Sequence, residues 1–539
     1  MAFFRCTGQI ALIAGVLLIS SKMSMSLEEA IGPDGSNARA VHERYGETGE
    51  GINIALISAR NARITHEAFK DTGGVSHAFW YDFTGVGVAT SDNHDTWMAG
   101  IAVSRGGVNN LNDIGVAPGA DMHSGRVANN DYETSFTWLE DALEELVINQ
   151  NCRVVMTGIA ASSPEPDGQS AWTMLYDYYA YEHNAVFAVG AGNDDTVISI
   201  FGDAYNGITT GGLIVTEPDV YRQVGSVSGS GPTADERRKP DITGPTQFQT
   251  IPTGTGDTNW FTTTSTEGKT SFSTPHTAGV AALLLGLADD TAEVNDGQNE
   301  VIKAVIVNST FPNIFDKSGI STAPAAGNEW HEDRGYGRLD ALRAYETLAA
   351  GTGLSQNSNN PTTKEKGWVY ATTANNEQHV YYLKGHKNHR LVLTVTWNRR
   401  INYNGFNYTE ESAPKYNLDL TIIDPVGGEL FKETDTLNNL VKADRVMPRE
   451  GTYEIRIKNT TNRTGRSYGL AFEILAPLPG DFDLNYIVEL NDLAFMAGQW
   501  LQSGSGLPAD LWPDNEINLP DFAQLAHQWL VVDERYYSD

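Results

Sequence analysis

The spacing of apolar residues changes along the chain, and each change marks a different kind of element. The first apolar run, Ile10–Ile19, is unbroken, follows Arg5, and is too short to span a bilayer. At an N-terminus this predicts an export signal over residues 1–25, with cleavage near Ser24 to Ser26. The runs Ile52–Ile57 and Val186–Gly190 are compact, apolar and β-branched, as buried strands are. The stretch Val280–Leu285 continues a helix of small and apolar residues that opens just after Ser271. From Gly351 to Pro361 the composition turns polar, which predicts a linker over 351–364. Period-two alternation then appears at His379–Leu383, Leu391–Trp397, Leu418–Ile423 and Thr452–Ile457. Short alternating strands between turn residues predict an antiparallel β-sandwich over 365–477. Last, Leu493, Met496, Ala497, Trp500 and Leu501 form a stripe at helical spacing.

The chain has 539 residues, enough for several domains with separate cores. Its formal net charge of −31 argues against nucleic acid or anionic membrane surfaces as partners. Acidity of this kind suits solubility, cation binding or a salty medium, and does not choose among them. Of the two cysteines, Cys6 lies in the export signal, so Cys152 stands alone in the mature chain as a small core residue. No later segment reads as a membrane span, which predicts a secreted or cell-surface protein.

Three local segments carry chemistry. Thr270-Ser271-Phe272-Ser273-Thr274-Pro275-His276 holds a serine just ahead of a helix, where its hydroxyl can stand clear beside backbone donors. His94-Asp95-Thr96-Trp97 puts a candidate base at the start of another small-residue helix. Val186–Gly190 runs into Ala191-Gly192-Asn193, whose amide can donate to a developing oxyanion.

Together, and in this order, the segments resemble the subtilisin-like serine proteases, the subtilases. Gly115–Ala120, Gly231–Asp235, Lys239–Ile242 and Gly335–Asp340 fit the same family, and the resemblance implies a peptidase domain over 36–350. It implies an α/β fold with a subtilisin-like parallel sheet flanked by helices. It also implies that Ser271 is the nucleophile, His94 the base and Asn193 the oxyanion donor, with no cofactor needed for catalysis.

The family's catalytic aspartate, which ends the first core strand, is missing: Ile52–Ile57 is followed by Ser58-Ala59-Arg60. Ser58 is expected at the aspartate position, where it orients His94 only weakly because it brings no charge. Within this family, losing the aspartate alone costs ~3 × 10⁴ in turnover, roughly 6 kcal/mol. Asp92 and Asp95 flank His94, but neighbouring side chains on a helix do not face one another, so they are expected to be solvated, as are Asp71 and Asp82. Lys269 stands where the family has glycine, and is either an exposed loop residue or an alternative base. Asp95 and Trp97 replace a family glycine and histidine, and Ile159 replaces a glycine, where it is expected to crowd the specificity pocket. The stretch between the export signal and the first core strand is too short for the family's usual folding propeptide.

An internal repeat closes the chain. Asp481, Asp483, Asn485, Glu489 and Asp492 fall at positions 1, 3, 5, 9 and 12 of a calcium-type loop. Asp510, Asp514, Asn518 and Asp521 take positions 1, 5, 9 and 12 of a second, with Trp512 at the third place. Tyr486 and Asn515 sit where such loops favour glycine, and each loop leads into a similar helix. Residues 480–532 thus resemble a dockerin, which implies calcium as a folding cofactor and a cohesin-type module as partner. The apolar stripes are free to face such a partner or each other. Asp424–Gly428 and Glu450–Tyr453 resemble the jelly-roll domains that follow some subtilases. Two functions remain at this stage: a secreted serine endopeptidase weakened by Ser58, or a pseudoprotease scaffold anchored through a dockerin–cohesin contact.

Overall fold

The computed structural model describes residues 26–536 apart from 88–90, 162–164, 195, 218–219, 324–327, 406 and 412–415. The export signal expected over 1–25 lies outside the described residues, save for its possible boundary at Ser26.

The first domain is built on a parallel sheet. Its strands are β1 (Asn53–Ser58), β2 (Ala78–Asp82), β3 (Asp121–Arg126), β4 (Cys152–Thr157), β5 (Val186–Gly190), β6 (Ile208–Glu217), β7 (Val220–Val224) and β8 (Ile242–Pro245). The order is β8-β6-β5-β4-β1-β3-β2, every neighbouring pair being parallel, with β7 antiparallel to β6. Helices α1 (Asn93–Val103), α2 (Ala171–His183), α3 (Thr274–Asp290), α4 (Asn299–Asn308) and α5 (Ala341–Ala349) accompany it. Strands covered on both faces need no alternation, which is why β1 and β5 read as solid apolar runs. Helix α3 is apolar around most of its circumference and is correspondingly buried from Thr274 to Gly286. Cys152 is buried and unpaired, and burial pushes its thiol pKa up.

The packed unit reaches back beyond residue 36. Leu27, Ala30 and Ile31 are buried, and the Ser26 hydroxyl donates to Asp113.

Two four-stranded antiparallel sheets follow. One is β9 (Lys366–Thr373), β16 (Arg466–Leu475), β11 (Arg390–Thr396) and β14 (Leu440–Val446) in spatial order; the other is β10 (Gln378–Gly385), β15 (Gly451–Asn459), β12 (Leu418–Ile423) and β13 (Glu429–Glu433). They share one core, in which Leu393, Phe472, Leu420 and Ile455 meet. The polar stretch before them is laid along the sheets through bridges Thr352↔Trp368, Ser355↔Tyr382 and Thr362↔Leu383. The first sheet packs on α4: Thr396 Oγ1 donates to Glu300 O, Lys442 Nζ to Val307 O, and an added Cβ on Gly469 would meet Glu300 O at 2.3 Å.

Helices α6 (Leu490–Gly498) and α7 (Leu519–His527) carry the C-terminal repeat. Val488, Met496, Ala509, Ile517 and Leu525 make its small core. Each loop pairs with the chain leaving the other helix: Leu501 N donates to Ile517 O and Leu530 N to Val488 O.

Candidate active site

The carboxyl ends of β1, β4 and β5 open onto one place, where open α/β sheets gather their chemistry. Helix α1 begins there. Asp92 is its N-cap, its side chain accepting the His94 N–H at 2.7 Å, and this fixes the turn from which His94 projects. From the other side, the turn ahead of α3 presents Ser271. His94 Nε2 and Ser271 Oγ lie 2.8 Å apart, within reach of a direct proton transfer.

Asn193 follows β5 and is exposed at the pocket. Its Oδ1 accepts the Thr270 N–H at 2.8 Å, which orients the side chain and leaves the Nδ2 amide for a ligand. Among the described residues the Ser271 N–H donates to no protein acceptor. Two donors are thus available beside the nucleophile, as an oxyanion requires. The cavity measures about 180 Å³ and is lined by His94, Gly158, Ile159, Asn193, Thr270 and Ser271. Ile159 does not fill it. It also lines a neighbouring cavity of about 210 Å³, mostly apolar, with Tyr132, Trp172, Ile200 and Phe201.

Ser58 ends β1, fully buried, as its register predicts, but its partner is a different one. Its hydroxyl donates to Asp95 Oδ1 in a short hydrogen bond, and no hydrogen bond joins it to His94 among the described residues. Asp95 is itself not solvated. It is 1 % exposed, accepts the Arg60 N–H on Oδ2 at 2.9 Å, and sets Oδ1 3.2 Å from His94 Nδ1. The helical facing rule fails here because Asp95 and His94 lie in a first turn, where side chains lean toward the N-terminus and short polar ends can converge. Burial alone would lower the His94 pKa, but the hydrogen bond and charge of Asp95, with Asp92 beyond, carry it above the ordinary histidine value.

The remaining candidates fall outside this cluster. Lys269 is exposed and makes no side-chain bond to His94 or Ser271 among the described residues. Trp97 stacks between Phe261 and Phe272 at centroid distances of 5.5 and 5.8 Å. Asp71 and Asp82 bind the backbone of their own turns.

In the C-terminal repeat, carboxylate oxygens of Asp481, Asp483 and Asp492 lie within 4.8 Å of one another, and so do those of Asp510, Asp514 and Asp521. Glu489 and Asn518 are also the N-cap residues of α6 and α7, and their backbone N–H groups donate to Asp492 and Asp521 at 2.8 and 2.9 Å. The Asn485 amide donates toward Asp483 and Glu489. Tyr486 and Asn515 have φ of 73° and 65°, the left-handed backbone that the sixth loop position demands. The donor set is all hard oxygen, Asp510 Oδ1 and Asn518 Oδ1 are buried without partners among the described residues, and burial with the charges of Asp492 and Asp483 pushes Asp481 up to about 6. These residues fit a divalent cation such as calcium.

A serine within proton-transfer distance of a histidine, beside free N–H donors at the carboxyl ends of parallel strands, is an arrangement able to support nucleophilic acyl transfer. The chain belongs to the subtilase family, whose model matches residues 51–340, more than half its length. It is 26% identical over 271 residues to pyrolysin of Pyrococcus furiosus, covering 45% of this chain and 18% of that protein. To subtilisin E of Bacillus subtilis it is 27% identical over 249 residues, covering 46% of this chain and 58% of that one. The chain thus spans less than two thirds of either relative. The solved structure of the prenylagaramide maturation protease PagA aligns with a TM-score of 0.44 at 19% identity, over 57% of this chain and 98% of that one.

Proposed function

We propose that the chain is a secreted serine endopeptidase, with its C-terminal repeat serving as a calcium-dependent anchor to a cohesin-type module. The observation that carries the catalytic part is the 2.8 Å contact between His94 Nε2 and Ser271 Oγ beside two unused N–H donors. Ser271 Oγ attacks the scissile carbonyl as its proton passes to His94 Nε2. Asn193 Nδ2 and the Ser271 N–H take the charge that develops on the carbonyl oxygen. His94 then gives the proton to the leaving amine, and a water repeats the sequence on the acyl-enzyme. The apolar cavity shared through Ile159 suits a large hydrophobic substrate side chain close to the cleaved bond.

Export is supported by the sequence of residues 1–25, and no helix among the described residues is long and apolar enough to cross a membrane. The anchoring part is supported by a repeated exposed surface: Leu490, Trp500 and Leu501 on one half, Leu519, Trp529 and Leu530 on the other. A jelly-roll character for the sandwich would leave it a packing role, consistent with its buried contacts to α4.

A second reading, a catalytically idle subtilase fold acting as a scaffold, is favoured by Ser58 in place of a strand aspartate. Labelling of the purified mature chain with a fluorophosphonate separates the two. Labelling that vanishes in Ser271→Ala is expected of the peptidase; a native chain inert to the probe would leave the scaffold.

A further inference from the structure

We propose that Asp95 is the positioning carboxylate of this active site: the acid has moved from the end of β1 to the residue after the base, and Ser58 now serves to hold it. This rests on the peptidase reading.

The argument is geometric. Donors arrive at Asp95 from separate parts of the fold: the Ser58 hydroxyl from the end of β1, the Arg60 N–H from the loop beyond it, and His94 Nδ1 from the same helical turn. The carboxylate is 1 % exposed and sits in the first turn of α1, where unpaired N–H groups favour an anion. With a proton on Nδ1 facing Asp95, the Nε2 lone pair faces Ser271 Oγ at 2.8 Å. That is the tautomer nucleophilic attack needs. When the Oγ–carbonyl bond forms and the serine proton moves to Nε2, the imidazolium lies against a buried negative charge. The same proton leaves with the amine as the peptide C–N bond breaks, and none passes to Asp95.

Ser58 then has a physical reason. An aspartate there would set a second carboxylate in hydrogen-bonding contact with Asp95, and two such charges in one buried site repel. A hydroxyl donates instead. Other charges near His94 do not compete for the task. Asp92 caps the helix through the His94 N–H, the Arg60 guanidinium turns to the carbonyls of Asn129 and Asn130, and Lys269 is exposed.

The test uses the full chain with calcium present and follows fluorophosphonate inactivation and peptide hydrolysis against pH. Asp95→Asn is expected to lower kcat about 10³-fold with little change in KM. It should also move the acid limb of the profile to lower pH, because His94 loses the group that holds its pKa up. Ser58→Asp alone is expected to lose activity, whereas Ser58→Asp combined with Asp95→Asn should recover at least about tenfold over Asp95→Asn. A reactive native chain whose rate and acid limb survive Asp95→Asn overturns this assignment and spares the peptidase reading. So does a loss that comes with a raised KM, no shift in the limb and no recovery in the double variant. A native chain that never reacts overturns both. Should Asp95→Asn fail to fold, the His94 ring followed by NMR in the native chain decides. A titration above the ordinary histidine value with a downfield Nδ1 proton is expected, and one at or below that value overturns the proposal.

Discussion

The buried aspartates of the candidate active site and those of the C-terminal repeat are completed in opposite ways. At the candidate active site Asp95 is surrounded by protein donors, Ser58 Oγ, Arg60 N–H and His94 Nδ1. In the C-terminal repeat, Asp481 and Asp492 face each other and Asp483, and Asp510 Oδ1 has no partner among the described residues. Hydrogen bonds to a carboxylate favour its charged form, whereas neighbouring carboxylates disfavour it. The first arrangement is finished when the chain folds. The second leaves negative charge uncompensated, and a bound cation is the simplest way to complete it. The lesson is that burial of an aspartate says little until its partners are counted by sign.

The largest expected effect follows from that contrast. On the calcium reading, chelation should unfold the repeat while the catalytic centre is untouched. Asp492→Ala should act similarly even in calcium, since it removes a ligand and also the acceptor of the Phe482 and Glu489 N–H groups at 2.6 and 2.8 Å. A loss of about 2–4 kcal/mol is expected in that module. Proteolytic resistance of residues 480–532, set against peptidase activity on the same sample, checks both halves. If chelation abolished activity but left the repeat protected, the comparison would be the wrong way round.

The residues of the candidate site differ in how far the sequence alone reveals them. Ser271, His94 and Asn193 each lie in a short local motif, so their order along the chain was enough to suggest the site. Asp95 is adjacent to His94 in the sequence, yet the spacing rule for helical faces predicts no contact, because that rule describes a helix interior and His94 opens the first turn. Its decisive partner, Ser58, comes from a distant strand, and no local pattern joins the two. The sandwich strands were legible from alternation, but their seat on α4 was not. Lys442 reads as a surface residue, yet it is buried there against Val307 O and Thr310, and burial pushes its pKa down to about 7. In the repeat, the apolar stripe proved divided: Met496 enters the core, while Trp500 and Leu501 stay exposed.

A smaller effect is expected at the clamp itself. Ser58→Ala removes one donor from Asp95 but leaves the Arg60 N–H and His94 in place. A hydrogen bond to a charged group contributes about 1.5–3 kcal/mol, and only part of this reaches the transition state, so kcat should fall about tenfold. An unchanged kcat would mean that Asp95 is held well enough without the hydroxyl. A fall as large as that of Asp95→Asn would mean that Ser58, not the carboxylate, is the group that matters.

The smallest effect sharpens the contrast within the repeat. Trp512 occupies the place where the first loop has Asp483; it is exposed and brings no carboxylate, and its backbone N–H donates to Asp521 at 2.7 Å. Trp512→Asp would keep that N–H and add a carboxylate beside Asp510 and Asp514. Calcium affinity depends on ligand charge count, so the second loop should bind about threefold to tenfold more tightly, near 1 kcal/mol. The first loop, with its own Asp483, should not change. Calorimetric titration of the two loops, with Asp481→Asn silencing the first, reads the difference. A second loop that binds no better with the added carboxylate would show that its limit is not charge but backbone geometry around Asn515, whose left-handed φ of 65° glycine would hold at lower cost.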